Sequence, residues 1–299
     1  MHIIVTGSLG PISKLIATQL VAQGHHVTVV SSDAGKQPAI EALGAQAAIG
    51  SVEDVAFLAA TFAGADVAYV MEPTVNMFDP AVDLLHHYEG ICKKYAQAIM
   101  AAGLKRIVHL SSIGGHSSTG TGMLAFHYYA EQALQKLPVE VTITTLRPVS
   151  FYTNILAFIP TMKAQQAIVT SYHATTPEPW ASPQDIAAAA VEELTTSTAG
   201  RKVRYIVSDE VSSDQLVHVL GEAIGRKISW LTVPHDVLEA TYQGYGMSPQ
   251  AARGFAQLNE AKNSGTLYED LAKHRAELTY GQVKIEGFAE DFARAYNAD

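Results

Sequence analysis

The opening segment constrains this chain more than any other: an apolar run, His2–Thr6, feeds Gly7-Ser8-Leu9-Gly10-Pro11-Ile12-Ser13, and helical spacing begins at once. Ile12, Leu15, Ile16 and Leu20 recur at helical intervals until Gly24, so the spacing predicts one helix from about Pro11 to Gln23. A strand that turns on glycine into a helix is the repeating unit of parallel sheets. It sets a helix N-terminus, with unpaired amides and partial positive charge, just beyond the strand's carboxyl end.

The unit repeats. His26–Ser31, Ala47–Ile49, Asp66–Met71, Arg106–Ser111 and Val141–Leu146 read as further strands, with helices near 53–62, 81–102 and 124–136. Gly64, Gly103 and Pro138 mark the helix stops next to strand starts. The alternation predicts an α/β fold: a doubly wound parallel sheet of Rossmann type with a smaller, mostly helical C-terminal part. Residues 1–152 are expected to form one part, a candidate dinucleotide-binding unit, with 181–208 returning to it through a helix capped by Ser182-Pro183-Gln184-Asp185 and a strand at Val203–Val207. Residues 153–180, loop-like and rich in proline, and 209–299, opened by the capping pair Ser212 and Gln215, form a substrate- or partner-binding part.

Composition narrows the function classes. Lys+Arg 20 against Asp+Glu 29 leaves a net charge of −9 with no basic run, which repels a phosphate backbone, so no nucleic-acid partner is expected. Cys92 is the only cysteine, no apolar run approaches the ~20 residues of a membrane span, and the N-terminus reads as a strand; the expected setting is cytoplasmic, with no metal and no membrane partner.

In the loop, Gly7 permits the turn and Gly10 lets backbone approach a pyrophosphate, while Ser13 holds the third small position and Pro11 subtracts one amide donor. With Thr6-Gly7-Ser8-Leu9-Gly10, Ile107-Val108-His109-Leu110-Ser111-Ser112, Thr145-Leu146-Arg147-Pro148, His127-x-x-x-Glu131, Tyr152-x-Asn154 and Asp185-Ile186-Ala187, nearly the whole chain resembles the NmrA-like group of atypical short-chain dehydrogenases/reductases. That group includes triphenylmethane and quinone reductases and NADP-sensing regulators. The resemblance implies a bound NAD(P), with NADP favoured over NAD. Thr6, Gly7, Leu9 and Gly10 would lie at the pyrophosphate, Ser31, Ser32 and Lys36 at the ribose, and Met71, Ser111 and Pro148 beside the nicotinamide. Tyr152 and Asn154 would meet the acceptor, and the product's proton would come from water or from His127.

Structural alternatives stand beside these roles. Ser32 or Asp33 serves equally as a helix cap, Ser111 and Ser112 as the start of a turn, and Phe151 and Tyr152 as core between the two parts. His127 suits a half-buried helix position, Asp185 a cap, and Cys92 an inert buried stripe. The 113–122 loop, rich in glycine, suits either a lid or a turn.

One departure bears on chemistry. The superfamily's Tyr-x-x-x-Lys sets a phenol and an ammonium on adjacent helix turns, but four positions after Tyr128 and Tyr129 stand Gln132 and Ala133. The aligned pair is His127 and Glu131, where a carboxylate beside the ring predicts an imidazolium. Epimerase and alcohol dehydrogenase chemistry are thereby disfavoured. Two main readings remain, a reductase of a quinone or similar conjugated small-molecule acceptor and a non-catalytic redox sensor that signals to a regulatory protein partner, beside a third, a relic fold with a blocked site that would bind no cofactor. Homodimerisation is open in both.

Overall fold

The computed structural model describes every residue except Thr198 and Asp299. Strands β1 (His2–Val5), β2 (His26–Ser31), β3 (Gln46–Ile49), β4 (Val67–Val70), β5 (Arg106–Leu110) and β6 (Thr142–Pro148) alternate with helices α1 (Pro11–Ala22), α2 (Gln37–Glu41), α3 (Val55–Phe62), α4 (Leu84–Ala102) and α5 (Ala125–Gln135). The chain continues through β7 (Ser150–Phe151), α6 (Ile159–Gln165), β8 (Ala167–Thr170), β9 (Glu178–Ala181), α7 (Pro183–Thr195) and β10 (Arg201–Ile206). It ends with β11 (Asp209–Val211), α8 (Ser213–Ile224), β12 (Ser229–Thr232), α9 (His235–Gly244), α10 (Pro249–Ser264), α11 (Glu269–Lys273) and α12 (Ile285–Asn297).

Seven strands make one parallel sheet in the order β3-β2-β1-β4-β5-β6-β10. The chain winds outward from β1 to β3, then restarts at β4 on the other side of β1. That reversal opens a crevice at the carboxyl ends of β1 and β4.

Strand alternation divides the core into two layers. Ile3, Val5, Val27, Val29, Tyr69 and Val108 face α1 and α7, while Ile4, Val30, Ala68, Val70 and Ile107 face α3, α4 and α5. Each of the fully buried branched side chains stabilises the fold by about 1.5–3 kcal/mol relative to exposure. Because both faces are covered, the strands read as continuous apolar runs, which is why their spelling was legible.

The C-terminal part has its own core of Tyr152, Trp180, Leu216, Leu220, Phe288 and Phe292, built where α8 and α12 pack. Segment 160–180, expected as a loop, contains α6 and β8, and β8 pairs in parallel with the distant β12. Four residues on their own carry too little local signal, and only that partner makes them a strand. The Ser212/Gln215 capping box forms in both directions. Ser182 caps α7, but Asp185 turns outward instead. It accepts from Ser208 Oγ at 2.6 Å and from the amides of Gln282 and Val283 at 2.9 and 3.1 Å, clamping the segment before α12 to the start of α7. Among the described residues no helix is long and apolar enough to cross a membrane.

Candidate functional site

At the β1–β4 crevice the chain turns through Gly7 at φ +87° and Ser8 at φ +55° before α1. A Cβ on Gly7 would strike Ser13 Oγ and lie 2.9 Å from Met71 Sδ, so glycine is required both for its backbone angle and for its clearance. Thr6 holds the two strand ends together, its Oγ1 accepting the Met71 amide at 3.0 Å. Gly10 precedes the helix without a side-chain cap, Pro11 occupies the first helical position, and no acid stands in the first turn. Among the described residues the amides of Leu9, Ile12 and Ser13 meet no acceptor. A helix start with open donors and no competing carboxylate is suited to a diphosphate.

At the end of β2, Ser31 is buried and bonds Ser8 Oγ at 2.9 Å, so it braces the glycine loop instead of facing outward. Asp33 accepts from the Gly35 amide at 2.9 Å, which is the capping role. Ser32 and Lys36 are exposed, and among the described residues Lys36 has no salt-bridge partner.

The ends of β5 and β6 bring Ser111 and Pro148 close: the Ser111 amide bonds Leu146 O at 2.8 Å, and the Ile113 amide bonds Pro148 O at 2.9 Å. Both side chains are buried. Ser111 Oγ donates to Glu131 Oε1 at 2.6 Å, and Arg147 grips Glu131 with two bonds, Nε to Oε1 at 2.9 Å and Nη2 to Oε2 at 2.7 Å. Arg147 Nη1 also donates to Asp270 on α11 at 2.9 Å and to the Tyr205 hydroxyl at 3.2 Å. Burial lowers the guanidinium's pKa, but the bonds and charge of Glu131 outweigh it and the net shift is upward. This corrects the expected His127–Glu131 pairing: the carboxylate is taken by Arg147 and Ser111.

His127 is therefore no imidazolium. Burial drives its pKa down to about 4, with Glu72 pulling upward and His109 and Arg147 adding to the fall. Its ring lies against Phe126, centroids 4.4 Å apart, and its Nδ1 is buried without a partner.

Next to it is a group the sequence reading passed over. His109 Nε2 lies 2.7 Å from Glu72 Oε1, and Cys92 Sγ donates to the same oxygen at 2.6 Å. Burial opposes both charges, yet each partner outweighs it, holding the Glu72 carboxyl below and the His109 imidazole above their usual ranges. Burial, then the Glu72 charge, pushes the Cys92 thiol up. The three donor atoms lie within 4.8 Å of one another. Their 2.6 and 2.7 Å approaches are hydrogen bonds, closer than the roughly 3.3–3.8 Å between two ligands of one tetrahedral zinc ion.

One of the two expected acceptor contacts is closed off. Tyr152 is 0% exposed, stacked on Phe288 and Trp180 at 5.2 and 6.1 Å in the C-terminal core, so its ring has no face to offer an acceptor. Asn154 is exposed and makes no hydrogen bond among the described residues. The 113–122 loop is pinned at its end: a Cβ on Gly122 would run into the Leu258 amide of α10, and α10 packs on the 122–124 turn that precedes α5, while Thr119 and Gly120 are exposed. Glu72, His109, Arg147 and Asp270 were the missed residues. For Glu72, His109 and Arg147 the available signal was a charge placed in, or directly after, an apolar strand run, where it must find a partner; Asp270, on helix α11, carried no such signal.

A model of the NmrA-like family matches residues 1–289. No curated protein sequence matches the chain. Among solved structures the chain is similar to the triphenylmethane reductase of Citrobacter sp., with TM-score 0.79 and 18% identity over 98% of this chain and 100% of that one. It is similar to the NADPH-dependent quinone oxidoreductase QOR2 of Escherichia coli, solved with NADPH, with TM-score 0.80 and 18% identity over 99% and 100%. A nucleoside-diphosphate-sugar epimerase from Staphylococcus aureus gives TM-score 0.75 and 15% identity over 97% and 100%. At these identities the likeness is one of fold.

Proposed function

The chain belongs to the NmrA-like family, and from that premise we propose that it is an NAD(P)H-dependent reductase that passes hydride to a quinone or similar conjugated acceptor. The observation that carries the reading is the open helix start at the β1–β4 crevice, where Gly7 and Gly10 leave room and the Leu9, Ile12 and Ser13 amides await an anion. Those residues would hold the pyrophosphate, and Met71, Ser111 and Pro148 would border the nicotinamide. The bound nicotinamide supplies the hydride. Exposed Lys36, with the Asp33 carboxylate committed to a turn, favours a 2′-phosphate and thus NADP over NAD.

The residues also narrow the acceptor. Tyr128 and Tyr129 lack their lysine, and Ser111 spends its one hydroxyl proton on Glu131. A simple ketone, which needs a donor on its oxygen as hydride arrives, finds no such pair here. A quinone or extended dye is electrophilic enough that positioning in a dry crevice does most of the work. The two reductases that share its fold, a triphenylmethane dye reductase and a quinone oxidoreductase, belong to the same acceptor class.

Purified protein should bind NADPH in calorimetric titration and oxidise it only when a quinone or dye is added. Binding without turnover across a broad acceptor panel would defeat this reading. A sensor role draws support from the Arg147–Asp270 bond, which ties the β6 end to α11. It requires unequal affinity for the oxidised and reduced cofactor, since equal binding shifts no equilibrium.

A further inference from the structure

The C-terminal part holds a cavity of about 350 Å³ that no residue of the glycine loop, and neither Ser111 nor Pro148, lines. Its walls come from the segment between β8 and β9, from the end of α10 and from α11. That volume lies within the range of small-molecule sites, roughly 300–1,000 Å³. α11 stands between the cavity and the network at Arg147. Asp270 bonds Arg147, whereas Leu271 and Ala272, about 100° and 200° further round the helix, line the cavity.

The lining carries two acids, and both are already supplied with donors. Buried Glu178 accepts from the Tyr172 hydroxyl at 3.1 Å, the Tyr268 hydroxyl at 3.2 Å and Lys262 at 3.4 Å. Glu210 accepts from Arg275 at 2.8 Å and from the Tyr280 hydroxyl at 2.7 Å. The two cations keep protons in reserve. Lys262, its side chain 9% exposed, donates to Glu178 and, at 3.1 Å, to the Tyr172 hydroxyl, so among the described residues two of its three N–H groups are bonded. Arg275, exposed at the rim, bonds through one of its five. Satisfied acceptors beside free donors make a receptor for an anion. The tyrosines, with Pro177, Pro179 and Leu271, give the same cavity an apolar wall suited to a flat ring.

We propose that this cavity binds a small aromatic carboxylate, at a site separate from the dinucleotide crevice. The carboxylate meets the Arg275 guanidinium, whose fork can hold both oxygens at once, and the ring packs on the tyrosines and prolines, with the Lys262 ammonium adding a second positive charge to the lining. A cationic ligand would have to displace Lys262, which already fills the place beside Glu178, 4.2 Å from the Tyr172 ring centroid and 5.4 Å from that of Trp180. No crevice residue enters this assignment, so it stands or falls independently of the reductase reading.

The chain's two tryptophans adjoin the cavity and serve as reporters: the Trp180 ring faces Lys262, and Trp230 donates through Nε1 to the Tyr172 carbonyl at 2.7 Å. The experiment titrates full-length, nitrogen-15-labelled protein with sodium benzoate and follows the indole signals, with benzyl alcohol and benzylamine as the neutral and cationic counterparts. Benzoate should shift an indole signal to saturation and bind about 10-fold or more tightly than either counterpart. Arg275→Gln, at an exposed position that the fold tolerates, should weaken benzoate by about 10-fold or more, and Lys262→Met should do the same where it folds. Saturating NADPH should leave the titration in place. A shift that never saturates, equal or tighter binding of benzyl alcohol or benzylamine, unchanged affinity in Arg275→Gln, or displacement of benzoate by NADPH would each overturn the assignment.

Discussion

Replacing Arg147 with methionine tests the buried network at the end of β6. Arg147 is 7% exposed, and its guanidinium makes two bonds to Glu131, one to Asp270 and one to Tyr205. Methionine keeps the apolar stem but leaves the Glu131 carboxylate buried with the Ser111 hydroxyl as its remaining donor. Removing one member of a buried ion pair costs about 3–5 kcal/mol, chiefly through the bare charge that remains. Against a native stability of about 5–15 kcal/mol that is a large fraction. At about 2–4 °C per kcal/mol for a chain of this class, the midpoint should fall by roughly 10 °C. Urea unfolding followed by circular dichroism measures the loss, with the m-value showing whether the unfolded reference has changed. Adding Glu131→Gln should restore part of it, because an amide leaves no charge behind. A loss below about 1 kcal/mol at constant m would refute the reasoning, since it would mean that the carboxylate is not dependent on this arginine.

Three further outcomes are expected. His127 has its pKa depressed in the fold, so between about pH 4 and pH 6.5 the unfolded chain binds more protons and stability rises with pH; His127→Gln should flatten that limb by up to about 1.4 kcal/mol per pH unit in stability-against-pH curves. His109, raised by Glu72, acts in the opposite sense, its contribution present below its unfolded pKa and lost as pH rises through the folded one, so it leaves the acidic limb to His127. Gly7→Ala should lose about 1–3 kcal/mol of stability and most of the calorimetric NADPH signal, because the new methyl would meet Ser13 and Met71 at a positive φ. Cys92 should resist a thiol reagent in the native protein and react at the rate of opening, as hydrogen-exchange or pulse labelling would show; rapid labelling of folded protein would contradict its burial between Glu72 and the core.

The first half of the fold was legible because parallel strands buried on both faces are written as apolar runs, and glycine or proline marks their helices' ends. The observed β2 is the span read from sequence, and β1, β3, β4 and β5 differ from it by a residue or so at their ends. Side-chain roles were less legible. His127 and Glu131, four apart on one helix, read as a pair by spacing alone, yet Arg147 and Ser111 hold the carboxylate, since a buried carboxylate goes to the partner that can make two bonds. Tyr152 read as an acceptor contact and lies in the core, because Phe288, far along the chain, covers it.

By itself, then, the amino-acid sequence determined the parallel sheet, the glycine turn and the helix start beyond it, all of which depend on residues within a few positions of one another. The tertiary structure alone decided that Glu72, Cys92 and His109 share one buried site, that Asp270 reaches Arg147, and that β8 finds β12. Those contacts join elements from separate stretches of chain, and the energy of a buried charge depends on which partner the completed fold brings to it.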